Sequence, residues 1–264
     1  MPQKNQSGLK KPFDMFDLTG KQAIVTGASE GLGKRFALTL ARAGAHVIAA
    51  ARNEGKLKIL VDQLREEGLS CDYFCLDMRD RAAITDVVGK IENKRALDII
   101  VNNAGIAIVK SPDRYTNDDW DSVYETNLRG PWALSQAVIK HRISDLKPCS
   151  IINISSVLGI RPLGHLPAYA AAKAGLINLG RDLTVDLAGK KIRVNSIAPG
   201  YYETEMNREW LKTDAGLKLL ESIPAGRFGQ PQDLDGALLF LASDASLFMH
   251  GAVLTVDGGH SAGL

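Results

Sequence analysis

The sequence predicts a single α/β domain built on a doubly wound, seven-stranded parallel sheet with helices on both faces. Three observations carry this. Short β-branched or apolar runs alternate with longer amphipathic stretches from Lys21 onward, the pattern of successive strand–helix–strand units. The strand runs are short and apolar, as buried parallel strands are. A chain of 264 residues, 45% of them hydrophobic, suffices for one large core, and no repeat, low-complexity tract or linker divides it.

The elements follow in order. Residues 23–26 form the first strand, and a helix spans 33–43 with Gly44 as its stop. Residues 46–50 form the second strand, followed by a helix over 55–67 that Gly68 ends. The third and fourth strands, 72–75 and 99–102, flank a helix at 82–93. A long helix over 118–146 follows, with Asn117 as its N-cap and a bend at Gly130-Pro131, where proline removes a backbone donor. Strands at 150–154, 193–197 and 253–256 and helices at 168–188 and 232–243 complete the alternation. Residues 1–18 form an arm, with the domain proper at 19–264. Residues 200–229 form a long connection with its own apolar pattern around Trp210 and Leu211, and a loop of that length reads as a lid over a ligand.

Charge and composition narrow the partners. Thirty-two Lys plus Arg against 30 Asp plus Glu leave a net charge of +2, too little for a nucleic-acid groove or a membrane-binding face. The expected partner is a small molecule. Cys71, Cys75 and Cys149 cannot all pair and lie in apolar runs, so they read as small hydrophobes in a reducing compartment. The polar, basic first 11 residues precede no apolar stretch, and no apolar segment is long enough to span a bilayer, so a cytoplasmic protein is expected. His46, His141, His165, His250 and His260 show no ligand spacing, and no metal site is expected. Lys140, His141 and Arg142 read as a solvated helix face, the sharper alternative being a contact for an acidic carrier protein.

Chemistry enters at Thr26-Gly27-Ala28-Ser29-Glu30-Gly31-Leu32-Gly33, between the first strand and its helix. Glycines there let the backbone approach a ligand, and the helix N-terminus attracts a pyrophosphate. The end of the second strand is where the adenosine ribose lies in such folds, and Arg52 there favours a 2′-phosphate and therefore NADP. Glu30, a carboxylate in the glycine turn, argues for NAD instead. NADP is the expected cofactor, with NAD as the alternative. Further on, Tyr169 and Lys173 are four residues apart at the start of a helix and share one face. A cation beside a phenol favours the phenolate and moves it toward the range where it exchanges protons near neutrality.

The glycine turn, Asn102-Asn103-Ala104-Gly105, Asn127, Ser156, Tyr169, Lys173 and Pro199-Gly200 stand in one order and spacing. By these motifs the chain resembles the short-chain dehydrogenase/reductases from Lys21 to its end. The resemblance implies a Rossmann fold. It makes Tyr169 the general acid/base, Ser156 the hydroxyl that orients the substrate oxygen, Lys173 the residue that lowers the Tyr pKa and binds the nicotinamide ribose, and Asn127 the support of a water-linked proton relay. Ser155 is the rival for the serine role; an extended chain would turn it to the opposite side from Ser156. Cofactor contacts are implied at Gly27, Ser29, Gly31, Leu32, Gly33 and Arg52, at Asp77 and Met78 near the adenine, at Asn103 and Ala104 near the adenosine ribose, and at Pro199, Gly200, Tyr202 and Thr204 near the nicotinamide. The stretch from Asn102 to Gly105 also serves the sheet. Residues 199–206 and 225–229 look most like 3-oxoacyl-acyl-carrier-protein reductases and gluconate 5-dehydrogenase-like relatives. Met206, Trp210 and Leu211 suggest an apolar cover for an acyl chain, while Glu203, Glu205 and Arg208 suit a polyol. The last strand and turn resemble a tetramer interface, so a homotetramer is expected. A non-catalytic dinucleotide sensor is the remaining alternative, which the complete Asn, Ser, Tyr and Lys set disfavours.

Overall fold

The computed structural model describes residues 12–145, 147–162, 164–205 and 207–263. In chain order the elements are β1 (Gln22–Thr26), α1 (Gly31–Arg42), β2 (His46–Ala51), α2 (Glu54–Glu66), β3 (Cys71–Cys75), α3 (Arg81–Glu92), β4 (Ile99–Asn102), α4 (Asn117–Tyr124), α5 (Gly130–Asp145), β5 (Cys149–Ile154), α6 (Pro167–Leu187), β6 (Ile192–Pro199), α7 (Arg208–Leu211), α8 (Asp214–Glu221), α9 (Asp235–Ala242) and β7 (Val253–Val256). The seven strands form one sheet in the order β3-β2-β1-β4-β5-β6-β7, and every neighbouring pair is parallel. The order reverses between β1 and β4. That switch point leaves a crevice at the carboxyl ends of the strands, where ligands of open α/β sheets bind.

Successive side chains of a strand point to opposite faces, so each central strand feeds two cores. Ala23 and Val25 of β1 join Val47, Ala49, Ile99 and Val101 against α1, α2 and α9. Ile24 joins Ile48, Ile100, Ile151 and Val194 against α3 and α5. Helix ends follow local chemistry. Gly44 and Gly68 adopt φ of +100° and +75° after α1 and α2, as the two stops required. Asn53 caps α2, accepting from Lys56 N–H at 3.0 Å, and Asp80 caps α3, accepting from Ala83 N–H at 2.9 Å.

Four sequence expectations are corrected. The cap of α4 is Thr116 rather than Asn117: its hydroxyl accepts from Asp119 N–H at 3.1 Å and the Asp119 carboxylate accepts from Thr116 N–H at 3.0 Å, a reciprocal pair that satisfies two orphan donors. The helix expected over 118–146 is α4 and α5 joined by one π-helical stretch, Glu125–Arg129. The α-helical donor for the Asn127 carbonyl would be residue 131, and Pro131 has no N–H, so the wider turn replaces a simple bend. The connection at 200–229 carries two helices, α7 and α8. Cys75, the last residue of the edge strand β3, is exposed, while Cys71 at the start of the same strand and Cys149 are buried.

Of the basic trio in α5, Arg142 is fully buried in an ion pair with Glu92 of α3. It is therefore part of the packing between two helices, unavailable to a carrier protein. No helix among the described residues is long and apolar enough to cross a membrane.

Candidate active site

The end of β1 sets the geometry of the crevice. The Thr26 hydroxyl accepts from the backbone N–H of Asn103 and of Ala104, both at 3.0 Å, and donates to the Val101 carbonyl at 3.2 Å. Asn103 Nδ2 in turn donates to the Thr26 carbonyl at 2.8 Å. These bonds lock the turn after β1 to the turn after β4 across the switch point. Gly27 sits at φ +65°, and a side chain on it would stand 2.9 Å from Ala104 Cα, so only glycine fits. A methyl group on Gly33 would lie 2.1 Å from the Gly27 carbonyl oxygen, which excludes any residue but glycine at that position in the first turn of α1. Asn102 serves the sheet, donating to Asn153 Oδ1 at 2.9 Å and Ser135 Oγ at 3.1 Å.

A cavity of about 710 Å³ opens above this turn, ample for a bound small molecule. Of the residues expected to touch a cofactor, Gly27, Ser29, Gly31, Leu32, Gly33, Arg52, Asp77, Met78, Asn103, Ala104 and Thr204 line it. The structure adds Glu30, Asn53, Lys56, Gly105, Ile106, Thr126 and Glu205. Glu30 is held in an ion pair with Lys56, from the first turn of α2. The carboxylate that argued for NAD is therefore neutralised by a cation 26 positions away, which no local pattern reveals. The Asp77 carboxylate accepts from the Arg79 backbone N–H at 2.9 Å and pairs with its guanidinium at 2.7 Å. Hydrogen bonding to Arg79 outweighs desolvation and holds its pKa below the usual carboxylate value.

At the Gly105 end of the cavity the sequence's candidate groups converge. The Cβ position of Gly105 lies 3.4 Å from Asn127 Oδ1 and 3.5 Å from Lys173 Nζ. Lys173 lies one turn into α6 from Tyr169, with Nζ 5.6 Å from the Tyr169 ring centroid, and donates to the Ile154 carbonyl at 2.7 Å. Ser156 lies close enough to Tyr169 to lower its pKa, and its hydroxyl accepts from Leu158 N–H at 3.1 Å. Ser155 turns away and donates to the Lys173 carbonyl at 2.8 Å. Asn127, fully buried in the π-helical stretch, uses both side-chain atoms on the Ile106 backbone, at 2.8 Å each.

The electrostatics differ from expectation in one respect. In the protein alone, burial raises the Tyr169 pKa and only the neighbouring Ser156 side chain opposes it. Burial also lowers Lys173 to about 8, since an ammonium loses hydration there. Desolvation dominates both groups, and the cation does not pull the phenol below its ordinary value.

Of the remaining expected cofactor contacts, Tyr169, Lys173, Pro199, Gly200 and Tyr202 are not part of this lining. The Tyr202 hydroxyl donates to the Val256 carbonyl at 2.9 Å, and its ring packs where a Gly229 side chain would be, so it pins the lid to β7. The expected apolar cover also changes. Leu211 is buried against Gly216 inside the lid, Trp210 is half exposed, and Met206 lies outside the described residues. Tyr201, by contrast, buries a hydroxyl without a hydrogen-bond partner among the described residues and lies within electrostatic reach of Tyr169.

A glycine turn at the switch point of a parallel sheet, leading to a buried Ser–Tyr–Lys cluster, is the arrangement of a dehydrogenase. Comparison with known proteins gives the family. The short chain dehydrogenase profile matches residues 21–215, and the chain belongs to the short-chain dehydrogenase/reductase family, oxidoreductases of carbonyl and alcohol groups. It is 41% identical over 245 residues to a 3-oxoacyl-acyl-carrier-protein reductase of Thermotoga maritima, covering 92% of this chain and 98% of that one. It is 37% identical to a gluconate 5-dehydrogenase of Gluconobacter oxydans, covering 93% and 96%. Among solved structures, a gluconate 5-dehydrogenase from Burkholderia cenocepacia in complex with NADP and tartrate superposes with a TM-score of 0.92 at 38% identity, covering 96% of this chain and 100% of that one.

Proposed function

We propose that the protein is an NADP-preferring reductase of ketones, with a 3-oxoacyl thioester on a carrier protein as first substrate class. The reading rests on one observation: the cavity that has Arg52 and Lys56 in its wall is also lined by Gly105, and directly behind Gly105 stands Lys173, with Nζ 3.5 Å from the Gly105 Cβ position and over the Tyr169 ring. The backbone at Gly27, Ser29, Gly31, Leu32 and Gly33 would cradle the pyrophosphate. Asp77 and Met78 would meet the adenine, Asn103 and Ala104 the adenosine ribose, Lys173 the nicotinamide ribose, and Pro199, Gly200 and Thr204 the nicotinamide end. The nicotinamide, when bound, supplies the hydride.

This chain's residues govern the proton. Ser156 donates to the carbonyl oxygen of the substrate, and Tyr169 gives that oxygen its proton as charge develops on it. Asn127 spends its side chain on Ile106, so a relay water would be held by its main-chain carbonyl, which Pro131 deprives of an α-helical donor. The substrate end is less polar in the first reading and more polar in a second, a sugar acid or polyol, which the buried Tyr201 hydroxyl, without a partner among the described residues, favours. NADPH oxidation with acetoacetyl thioesters and with 5-ketogluconate separates the two, and turnover of the sugar acid alone would replace the first by the second. A homotetramer is the proposed assembly, and light scattering that gives a monomer at micromolar concentration would reject it.

Two expected results follow from charge. Glu30→Gln removes a negative group from the wall and releases Lys56, so NADPH affinity should rise about 3- to 10-fold while NADH affinity stays within about twofold. Fluorescence titration reads both, and an equal change for the two cofactors would refute the placement of the 2′-phosphate. Lys173, with its pKa lowered to about 8, is cationic below that pH and neutral above it. Since kcat/KM reports the free enzyme, kcat/KM for NADPH should fall as pH rises through about 8. A profile flat to pH 10 would show that the charge is not needed.

A further inference from the structure

A second, smaller site lies beside the cleft, on the loop after β4 and the loop before α6. Val109, Lys110, Ser111, Arg114 and His165 line a cavity of about 460 Å³. Three of the five are basic and none is acidic. Lys110 is paired with Asp119 at 2.6 Å, the carboxylate that also caps α4; the pair offsets the Lys110 charge but fixes the ammonium with two further donors to offer, beside Arg114 and His165. The two loops are tied together where they meet: Lys110 N–H donates to the His165 carbonyl at 3.0 Å. His165 adopts φ +57°, a left-handed conformation that few side-chain-bearing residues adopt and that persists where surrounding structure enforces it, often at a ligand clamp.

This cavity adjoins the reacting centre. Ile106 and Ile108, on the strand of chain that leads to Lys110, pack in one apolar cluster with Tyr169, and the Tyr115 hydroxyl fixes the same stretch by donating to the Ile108 carbonyl at 3.2 Å. His165 precedes Tyr169 by four residues, so their Cα atoms are at most about 14 Å apart.

We infer that Lys110, Arg114 and His165 form the recognition site for an anionic group, a carboxylate or a phosphate, at the end of the substrate remote from its reacting carbonyl. This rests on reduction at Tyr169 as proposed above and narrows its substrate class to anionic ketones. A carboxylate would come from a keto sugar acid, and a phosphate from the phosphopantetheine arm of a carrier-bound thioester. Both present oxygens to the same donors, while a neutral ketone of equal size leaves them unused.

The test uses two matched pairs with NADPH: 5-ketogluconate against the neutral ketohexose L-sorbose, and acetoacetyl-4′-phosphopantetheine against acetoacetyl-pantetheine. The wild type should prefer the anionic member of one pair by about tenfold or more in kcat/KM, and that pair identifies the source of the anion. Arg114→Met should raise KM for that substrate about tenfold with kcat within about twofold, leave the neutral partner unchanged, and be largely rescued by Arg114→Lys. Equal efficiency within both pairs, or an equal loss on charged and neutral substrates in Arg114→Met, overturns the site while leaving the reductase reading intact. Reduction of none of the four overturns the proposed reaction and the site with it.

Discussion

Tyr169→Phe is expected to lower kcat by about 10³-fold while NADPH affinity stays within about twofold. General acid catalysis by a positioned side chain contributes about 10² to 10⁴ in rate. The ring itself stays packed in the cluster with Ile106, Ile108 and Tyr115, so the fold should change little. Stopped-flow reduction of the substrate with pre-bound NADPH separates the chemical step from binding. A variant retaining more than a tenth of wild-type kcat would show that the proton comes from elsewhere and would remove Tyr169 from the reaction. Ser155→Ala and Ser156→Ala provide an internal comparison. The second should damage kcat because its hydroxyl lies close to Tyr169, whereas the first removes a bond to the α6 backbone and should act mainly on stability.

The second large effect lies in the glycine turn. Gly33→Ala places a methyl 2.1 Å from the Gly27 carbonyl oxygen and 2.4 Å from Asn103 Nδ2. Neither neighbour can withdraw freely, because Asn103 Nδ2 is bonded to the Thr26 carbonyl and Gly27 is pressed against Ala104. Overpacking of this kind costs about 1 to 3 kcal/mol or more and shifts the backbone that would hold the pyrophosphate. NADPH affinity should fall about 100-fold and the Tm should drop by several degrees. Gly89→Ala is the control: its added methyl meets nothing within 4 Å, and in the interior of α3 it should stabilise by about 0.5 to 1 kcal/mol. If Gly33→Ala binds NADPH as the wild type does, the turn is not the phosphate site.

Much of the fold was legible because parallel strands leave a local record. Each of the seven predicted strands lies at an observed one, within a residue or two at the ends, since burial on both faces demands short apolar runs. The ends of α1 and α2 were legible at Gly44 and Gly68 for an equally local reason, the left-handed conformation that favours glycine. The π-helical stretch around Asn127 was not. Pro131 announces a disturbance, but whether the helix bends, breaks or widens depends on what packs against it, including the Ile106 backbone that Asn127 binds. The same limit applied to Arg142, whose charge pattern reads as surface until Glu92 of another helix is seen beside it.

Sequence by itself determined the sheet and the glycine turn, because each depends on residue type at short spacing along the chain, while Ser156, Tyr169 and Lys173 stood out by the resemblance of a whole set of motifs to one family. Tertiary structure alone decided how those groups are charged and which neighbours answer them. It paired Glu30 with Lys56, sent Ser155 to the backbone of α6, drew Tyr202 into the anchoring of the lid and gathered Lys110, Arg114 and His165 around one cavity. Burial and Coulomb interactions act through space between residues far apart in the chain, and a linear pattern carries no record of distances that only folding creates.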